Sequence, residues 1–197
     1  MKKIILLILV FISYTFLIKT CPALTMWDKS LILFIQQKLR NLPIYLAVLP
    51  DCKLYSFMIG IPIILGLIYF LKKREWLKSV FICLIPLITF LLNCIIKPLV
   101  QRARPPIEIQ ILIHPHSYSY VSSHSLVTFA LYGTVIYLFY KYCHNKVIKY
   151  SIIILSVLWI LYVGLSRVWL GVHYPTDVIG AYILGFILLT IYSKIRI

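Results

Sequence analysis

The chain has 197 residues, 62% of them hydrophobic and only 13% charged, and a formal net charge of +15, with a mean hydropathy of +0.97. A soluble domain of this size has no means of hiding so much apolar surface, so the composition excludes an ordinary water-soluble protein and makes the bilayer the solvent. The basic residues lie beside apolar runs, which argues against a nucleic-acid partner for the positive charge.

The first run, Ile4–Ile18, follows Lys2 and Lys3. That order suits the n- and h-regions of a signal peptide, but Lys19-Thr20-Cys21-Pro22 offers no small-x-small cleavage site, so an uncleaved span is expected. Trp27, Leu31, Phe34, Ile35, Leu39 and Leu42 then recur at helical spacing, with Asp28, Lys29, Gln36, Gln37, Arg40 and Asn41 on the other face. This pattern predicts an amphipathic helix, stopped by Pro43, that lies flat at the outer interface and covers the bundle. A wall of a lipid-access route is the second reading of the same helix. Cys21 and Cys52 bracket it on the side where oxidation is possible. Their pairing stays open, and apolar or free thiols are expected for all five cysteines; no CxxC pair suggests zinc.

Five further apolar runs follow: Tyr55–Leu71, Leu77–Ile96, Leu126–Tyr140, Tyr150–Leu165 and Val178–Tyr192. Several are short against the roughly 20 residues a span needs, so flanking Ser, Thr and Tyr must help to cross the interface. Short connections and the absence of repeats or low-complexity tracts predict one all-α domain over residues 1–197. Its architecture is a six-transmembrane-helix bundle with the interfacial amphipathic helix between spans 1 and 2. With the N-terminus cytoplasmic, Lys72, Lys73, Arg74, Lys78, Lys141, Lys146 and Lys149 fall on inner loops, as the positive-inside rule requires. Both termini are then cytoplasmic, in the inner membrane of a bacterium.

Three polar fragments end up together on the outer side. In Val172-His173-Tyr174-Pro175-Thr176-Asp177, Pro175 suits the first position of a helix, because its missing N–H would be unpaired there anyway. Asp177, in that first turn, reaches back toward His173. A carboxylate on one ring nitrogen fixes the tautomer and leaves the other nitrogen free as a nucleophile; the bland role for Asp177 is to complement the helix dipole. Ser122-Ser123-His124 opens another span. Its serines suit an N-cap, and a helix start also offers free N–H groups to phosphate oxygens, with His124 placed as an acid toward a leaving oxygen. Lys97, Arg104 and Arg167 supply charge for the equatorial oxygens of a phosphoryl group in flight. Singly each cation reads as an interfacial anchor; jointly, on one side of the membrane, they read as a phosphate site.

Lys97-x6-Arg104-Pro105, Val121-Ser122-Ser123-His124 and Ser166-Arg167-x5-His173-x3-Asp177 together resemble the three signature motifs of the type 2 phosphatidic acid phosphatase (PAP2) superfamily. The likeness covers Lys97 to Asp177. It implies His173 as the nucleophile that forms a phosphohistidine, Asp177 as its orienting partner, and His124 as the acid that then activates water. It implies Lys97, Arg104, Ser122, the Ser123 backbone and Arg167 as phosphate ligands, with no metal and no other cofactor. The second motif departs from the usual Pro-Ser-Gly-His, and a serine at position 123 would be strained if that position needed positive φ. The implied substrate is a membrane lipid phosphate or diphosphate: undecaprenyl diphosphate first by analogy, then phosphatidylglycerol phosphate, phosphatidic acid or lipid A phosphate. A catalytically silent lipid-binding or transport relative and a lipid phosphotransferase are the alternatives.

Overall fold

The computed structural model describes residues 2–51, 53–72, 74 and 76–194. All regular structure among them is helical: α1 (Lys2–Thr20), α2 (Pro22–Leu39), the short α3 (Tyr45–Val48), α4 (Lys53–Lys72), α5 (Trp76–Val100), α6 (Ser123–Tyr142), α7 (Lys146–Trp169) and α8 (Pro175–Ser193), with 3-10 turns at Leu49–Asp51 and Ile107–Ile109. Each of the six apolar runs thus forms one helix. Backbone groups satisfied within a helix are the only ones that cross hydrocarbon cheaply.

Among the described residues, four helices are long and apolar enough to cross a membrane: α1, Ser79–Val100 of α5, α7 and α8. The segments Tyr45–Asp51 and Tyr55–Ile68, bent by 47° to each other, raise the number to five if counted as one span. Helix α6 falls short on composition, and its place in the bundle supplies the reason. It packs against α4, α5, α7 and α8, and it buries Ser125, Thr128 and Thr134 along with Leu126, Ala130 and Leu131. A helix enclosed by other helices need not present apolar side chains all round. Thr134 satisfies itself by donating to Ala130 O at 2.8 Å. Helix α1 is the opposite case: only Ile18 is buried, and its outer face is a row of exposed Leu, Ile and Val.

Helix α2 departs in part from the expected faces. It ends before Pro43, as the sequence predicts, but Trp27 and Phe34 are more than half exposed while Asp28 and Ile32 are wholly enclosed. Gln36 also turns inward, donating to Ile109 O at 2.8 Å and Trp169 O at 3.0 Å. Asp28 and Gln36 turn inward because a guanidinium and buried carbonyls wait there, beside Ile32, Ile35 and Leu39, which pack on the core; Trp27 and Phe34 point outward, where a bilayer would receive them.

The pairing of Cys21 with Cys52, left open by the sequence, involves Cys52, which lies outside the described residues; Cys21, Cys83, Cys94 and Cys143 are free.

Candidate active site

The corner between α7 and α8 builds the first half of the site. Gly171 holds φ +67, and a Cβ there would run into Ile109 O, so only glycine makes this turn without strain. Beyond it the N–H groups of Val172 and His173 donate back to Arg167 O at 3.2 and 3.4 Å. Pro175 opens α8 at its first turn. This geometry sets His173 just ahead of the helix with its ring almost fully buried.

His173 Nδ1 lies 3.6 Å from Asp177 Oδ2, and Nε2 lies 3.4 Å from Arg104 Nη1. The first distance is that of a charge contact, beyond a full hydrogen bond. An arginine only donates, so its place beside Nε2 favours the tautomer with the proton on Nδ1 and the Nε2 lone pair directed at the guanidinium. Burial pushes the ring's pKa down to about 4; the Asp177 contact opposes that fall, and the charges of Arg104 and Lys97 reinforce it. The imidazole is therefore neutral at pH 7.

Arg104 and Lys97 arrive from the end of α5 and the irregular segment after it. Arg104 donates from Nε to Ser117 O at 2.7 Å, from Nη2 to Ser117 Oγ at 3.0 Å and from Nη1 to Val172 O at 2.6 Å. Lys97, in the last turn of α5, donates to Tyr118 O at 2.8 Å. The prolines at 105, 106 and 115 keep this segment from forming a helix, so its carbonyls are free to hold both cations.

The second half of the site is organised by a residue that the motif analysis passed over. Arg167 is buried, and its Nη1 reaches both oxygens of Asp51 at 2.8 Å. Its Nη2 donates to Ala47 O at 3.2 Å, and its Nε to Ser166 Oγ at 3.1 Å. The same Asp51 carboxylate stands 3.5 Å from His124 Nε2. Tyr55 fixes the start of α6 from the other side, donating to His124 O at 3.1 Å with its ring 5.0 Å from the imidazole. Asp51 carried a weak sequence signal: it is one of only five acids in a chain of net charge +15.

Ser122 occupies the N-cap position of α6 but does not cap. Its hydroxyl pairs with Ser125 Oγ at 3.0 Å, which leaves the first-turn N–H groups of α6 without a capping side chain. Ser123 is the first helical residue and is not among the positive-φ residues, so serine in place of the usual glycine meets no backbone strain.

Asp177 is completely enclosed. It accepts from Ser119 Oγ, from the Tyr174 N–H at 2.9 Å and from Arg102 Nη1 at 2.5 Å. Ser119 and Arg102 had no role assigned from the motifs. A separate cavity of about 570 Å³, lined by Met58, Leu65, Ile82, Tyr132, Phe139 and Trp159 among others, lies between α4, α5, α6 and α7 and shares no residue with this constellation.

Comparison with known proteins gives the constellation its context. Phosphatidylglycerophosphatase B of Bacillus subtilis (strain 168) is 33% identical over 138 residues, an alignment that covers 68% of this chain and 64% of that protein's length. A crystal structure described as the first transmembrane PAP2 type phosphatidylglycerolphosphate phosphatase, from Bacillus subtilis, superposes with a TM-score of 0.77 at 28% identity, covering 98% of this chain and 95% of the other. Apolar helices in that shared frame make this an integral membrane protein. The PAP2 superfamily model matches residues 78–196, a stretch that contains all three motifs, and with that match the chain belongs to the PAP2 superfamily.

Proposed function

We propose that this single-domain membrane protein is a lipid phosphate phosphatase that works without a metal, through a phosphohistidine. The observation that carries the reading is His173, neutral and buried, with its Nδ1 on a carboxylate and its Nε2 turned to Arg104. Nε2 attacks phosphorus while the bond from phosphorus to the leaving oxygen breaks. His124, which takes up a proton when the phosphate dianion offsets the neighbouring cations, gives that proton to the leaving oxygen and becomes neutral. His124 then takes a proton from water, the hydroxide attacks phosphorus, the P–N bond breaks, and inorganic phosphate leaves. Lys97, Arg104, Arg167 and the free N–H groups at Ser123 hold the equatorial oxygens. Four of the five Arg167 N–H groups are committed, two to Asp51, one to Ala47 and one to Ser166, so a two-pronged hold on the phosphate requires exchanging Asp51 for it.

The names of the similar proteins support phosphatidylglycerol phosphate as the first substrate to try, ahead of undecaprenyl diphosphate. Phosphate release by purified protein from a panel of the four lipids, with chelator present, tests the activity. Asp28 and Asp177 are both paired with Arg102, and Asp51 with Arg167, so the three carboxylates at the site are already committed to arginines and form no cluster for a magnesium ion. Activity is therefore expected to persist undiminished in chelator, and a strict need for a divalent ion would overturn the mechanism.

We further infer six spans, with α2 at the outer interface, both termini cytoplasmic and the site at the outer leaflet of an inner membrane. The basic loops around Lys72 and Lys141–Lys149 support that orientation. Ser117 is unsuitable for a labelling test because it holds Arg104, but His116 is exposed in the same segment. With the five native cysteines replaced by serine, His116→Cys should react with an impermeant thiol reagent on intact cells or spheroplasts. Labelling only after the cytoplasm is opened would invert the topology.

A further inference from the structure

Two residues that touch no substrate atom in this reading are built into the support of Asp177. Arg102 donates from Nη1 to Asp177 Oδ1 at 2.5 Å and to Thr176 Oγ1 at 2.7 Å, and from Nη2 to Asp28 Oδ2 at 2.7 Å. Its guanidinium lies over the Tyr174 ring, 4.2 Å from the centroid. Asp28 also accepts from the Thr176 N–H at 3.1 Å and from the Thr176 hydroxyl at 2.5 Å. Both carboxylates are fully enclosed, and the arginine nearly so.

A buried acid on a helix that otherwise shows Trp27 and Phe34 to the outside is expensive unless something needs it. If Arg102 served only to anchor Asp177, one carboxylate would complete the pair and the site would be neutral. Two carboxylates share one guanidinium instead, and one negative charge is left over beside a neutral imidazole. When His173 Nε2 bonds phosphorus while Nδ1 keeps its proton, the ring gains one positive charge. The surplus matches it.

We propose that Asp28 and Arg102 are positioning residues of the phosphoryl-transfer site: they orient Asp177 and hold its charge at the value that stabilises the phosphorylated His173 ring. Helix α2 is then part of the catalytic apparatus through Asp28, in addition to covering the bundle. The inference rests on the phosphohistidine reading above.

The other groups facing His173 are Arg104 and Lys97 from the α5 side. The phenols of Tyr14 on α1, Tyr120 and Tyr174 face the Asp28–Arg102–Asp177 cluster.

The experiment is a charge cycle in the purified full-length protein: Asp28→Asn, Arg102→Gln and the double variant, each assayed for kcat and KM across pH on a lipid phosphate that the wild type hydrolyses. The cluster's net charge is minus one in the wild type, zero in D28N, minus two in R102Q, and minus one again in the double variant. D28N is expected to lower kcat about ten- to a hundredfold, the scale seen when an outer carboxylate behind a working imidazole is removed, with KM little changed. Its acid limb moves to lower pH because the protonated ring loses a negative neighbour; in R102Q the limb moves to higher pH. The double variant recovers both kcat and the limb toward wild type, although it lacks more contacts than either single variant.

A double variant as impaired as the worse single, limbs that move in the same direction, or a D28N enzyme with wild-type kcat would each overturn the proposal. Should R102Q not fold, D28N and the double variant decide the matter alone. Turnover that survives in His173→Ala would remove the underlying phosphohistidine reading; a dead His173→Ala beside an unaffected D28N removes this inference only.

Discussion

His173→Ala is expected to lower phosphate release by about four to six orders of magnitude, the scale on which a covalent nucleophile is missed. No neighbouring group can take its place. His124 stands against Asp51, and the Arg104 guanidinium beside His173 has no lone pair to offer. The variant should still fold, because Asp177 keeps Arg102, Ser119 and the Tyr174 N–H when the ring is gone. Labelled lipid phosphate quenched in base should leave an acid-labile phosphoprotein in the wild type and none in the variant. The pH profile adds a second check. Attack needs the neutral ring, and burial holds its pKa down at about 4. The nucleophile is thus available above that value and is lost only as pH falls through it. An acid limb assigned to His173 near its ordinary value of about 6.5 would contradict the enclosed geometry, and near-wild-type turnover in the alanine variant would end the mechanism.

His124→Ala has the second largest expected effect, about 10² to 10⁴ in kcat on a lipid phosphate, the usual worth of a positioned acid–base group. The loss should depend on the leaving group. A lipid alkoxide needs a proton as it departs; an aryl phosphate such as p-nitrophenyl phosphate does not. With the aryl ester, the variant should release a burst of phenol and then stall, because the second step still needs His124 to activate water. The accumulated phosphohistidine would be measurable by phosphorus NMR. An equal loss on both esters, with no burst, would assign His124 to binding instead.

Part of this molecule was open to reading in one dimension. Apolar runs must become helices in a bilayer, so all six runs appear as helices. Motif spacing also carried over: five residues between Arg167 and His173 suffice for one turn closed by Gly171, and four from His173 to Asp177 bring the carboxylate back beside the ring. Those are local relations, set by the rise of a helix and the geometry of a turn.

The face of α2 was not readable. Hydrophobic periodicity finds two stripes but does not say which residues of each meet protein, because apolar side chains are at home against lipid as well as in the core and the inward positions answer to whatever polar groups they meet. Asp28 reads as solvated from its neighbours, and only Arg102, 74 residues away, explains its complete burial. Asp51 belongs to no motif, yet it joins Arg167 to His124 across 116 and 73 residues of chain.

The sequence by itself determined the solvent, the helices and the inventory of cations, histidines and serines at one end of the bundle. The tertiary structure alone decided which carboxylate serves which cation. Pairing between charges depends on distances of a few ångströms across helices far apart in the chain, and in a buried, low-dielectric site those distances settle which charges persist.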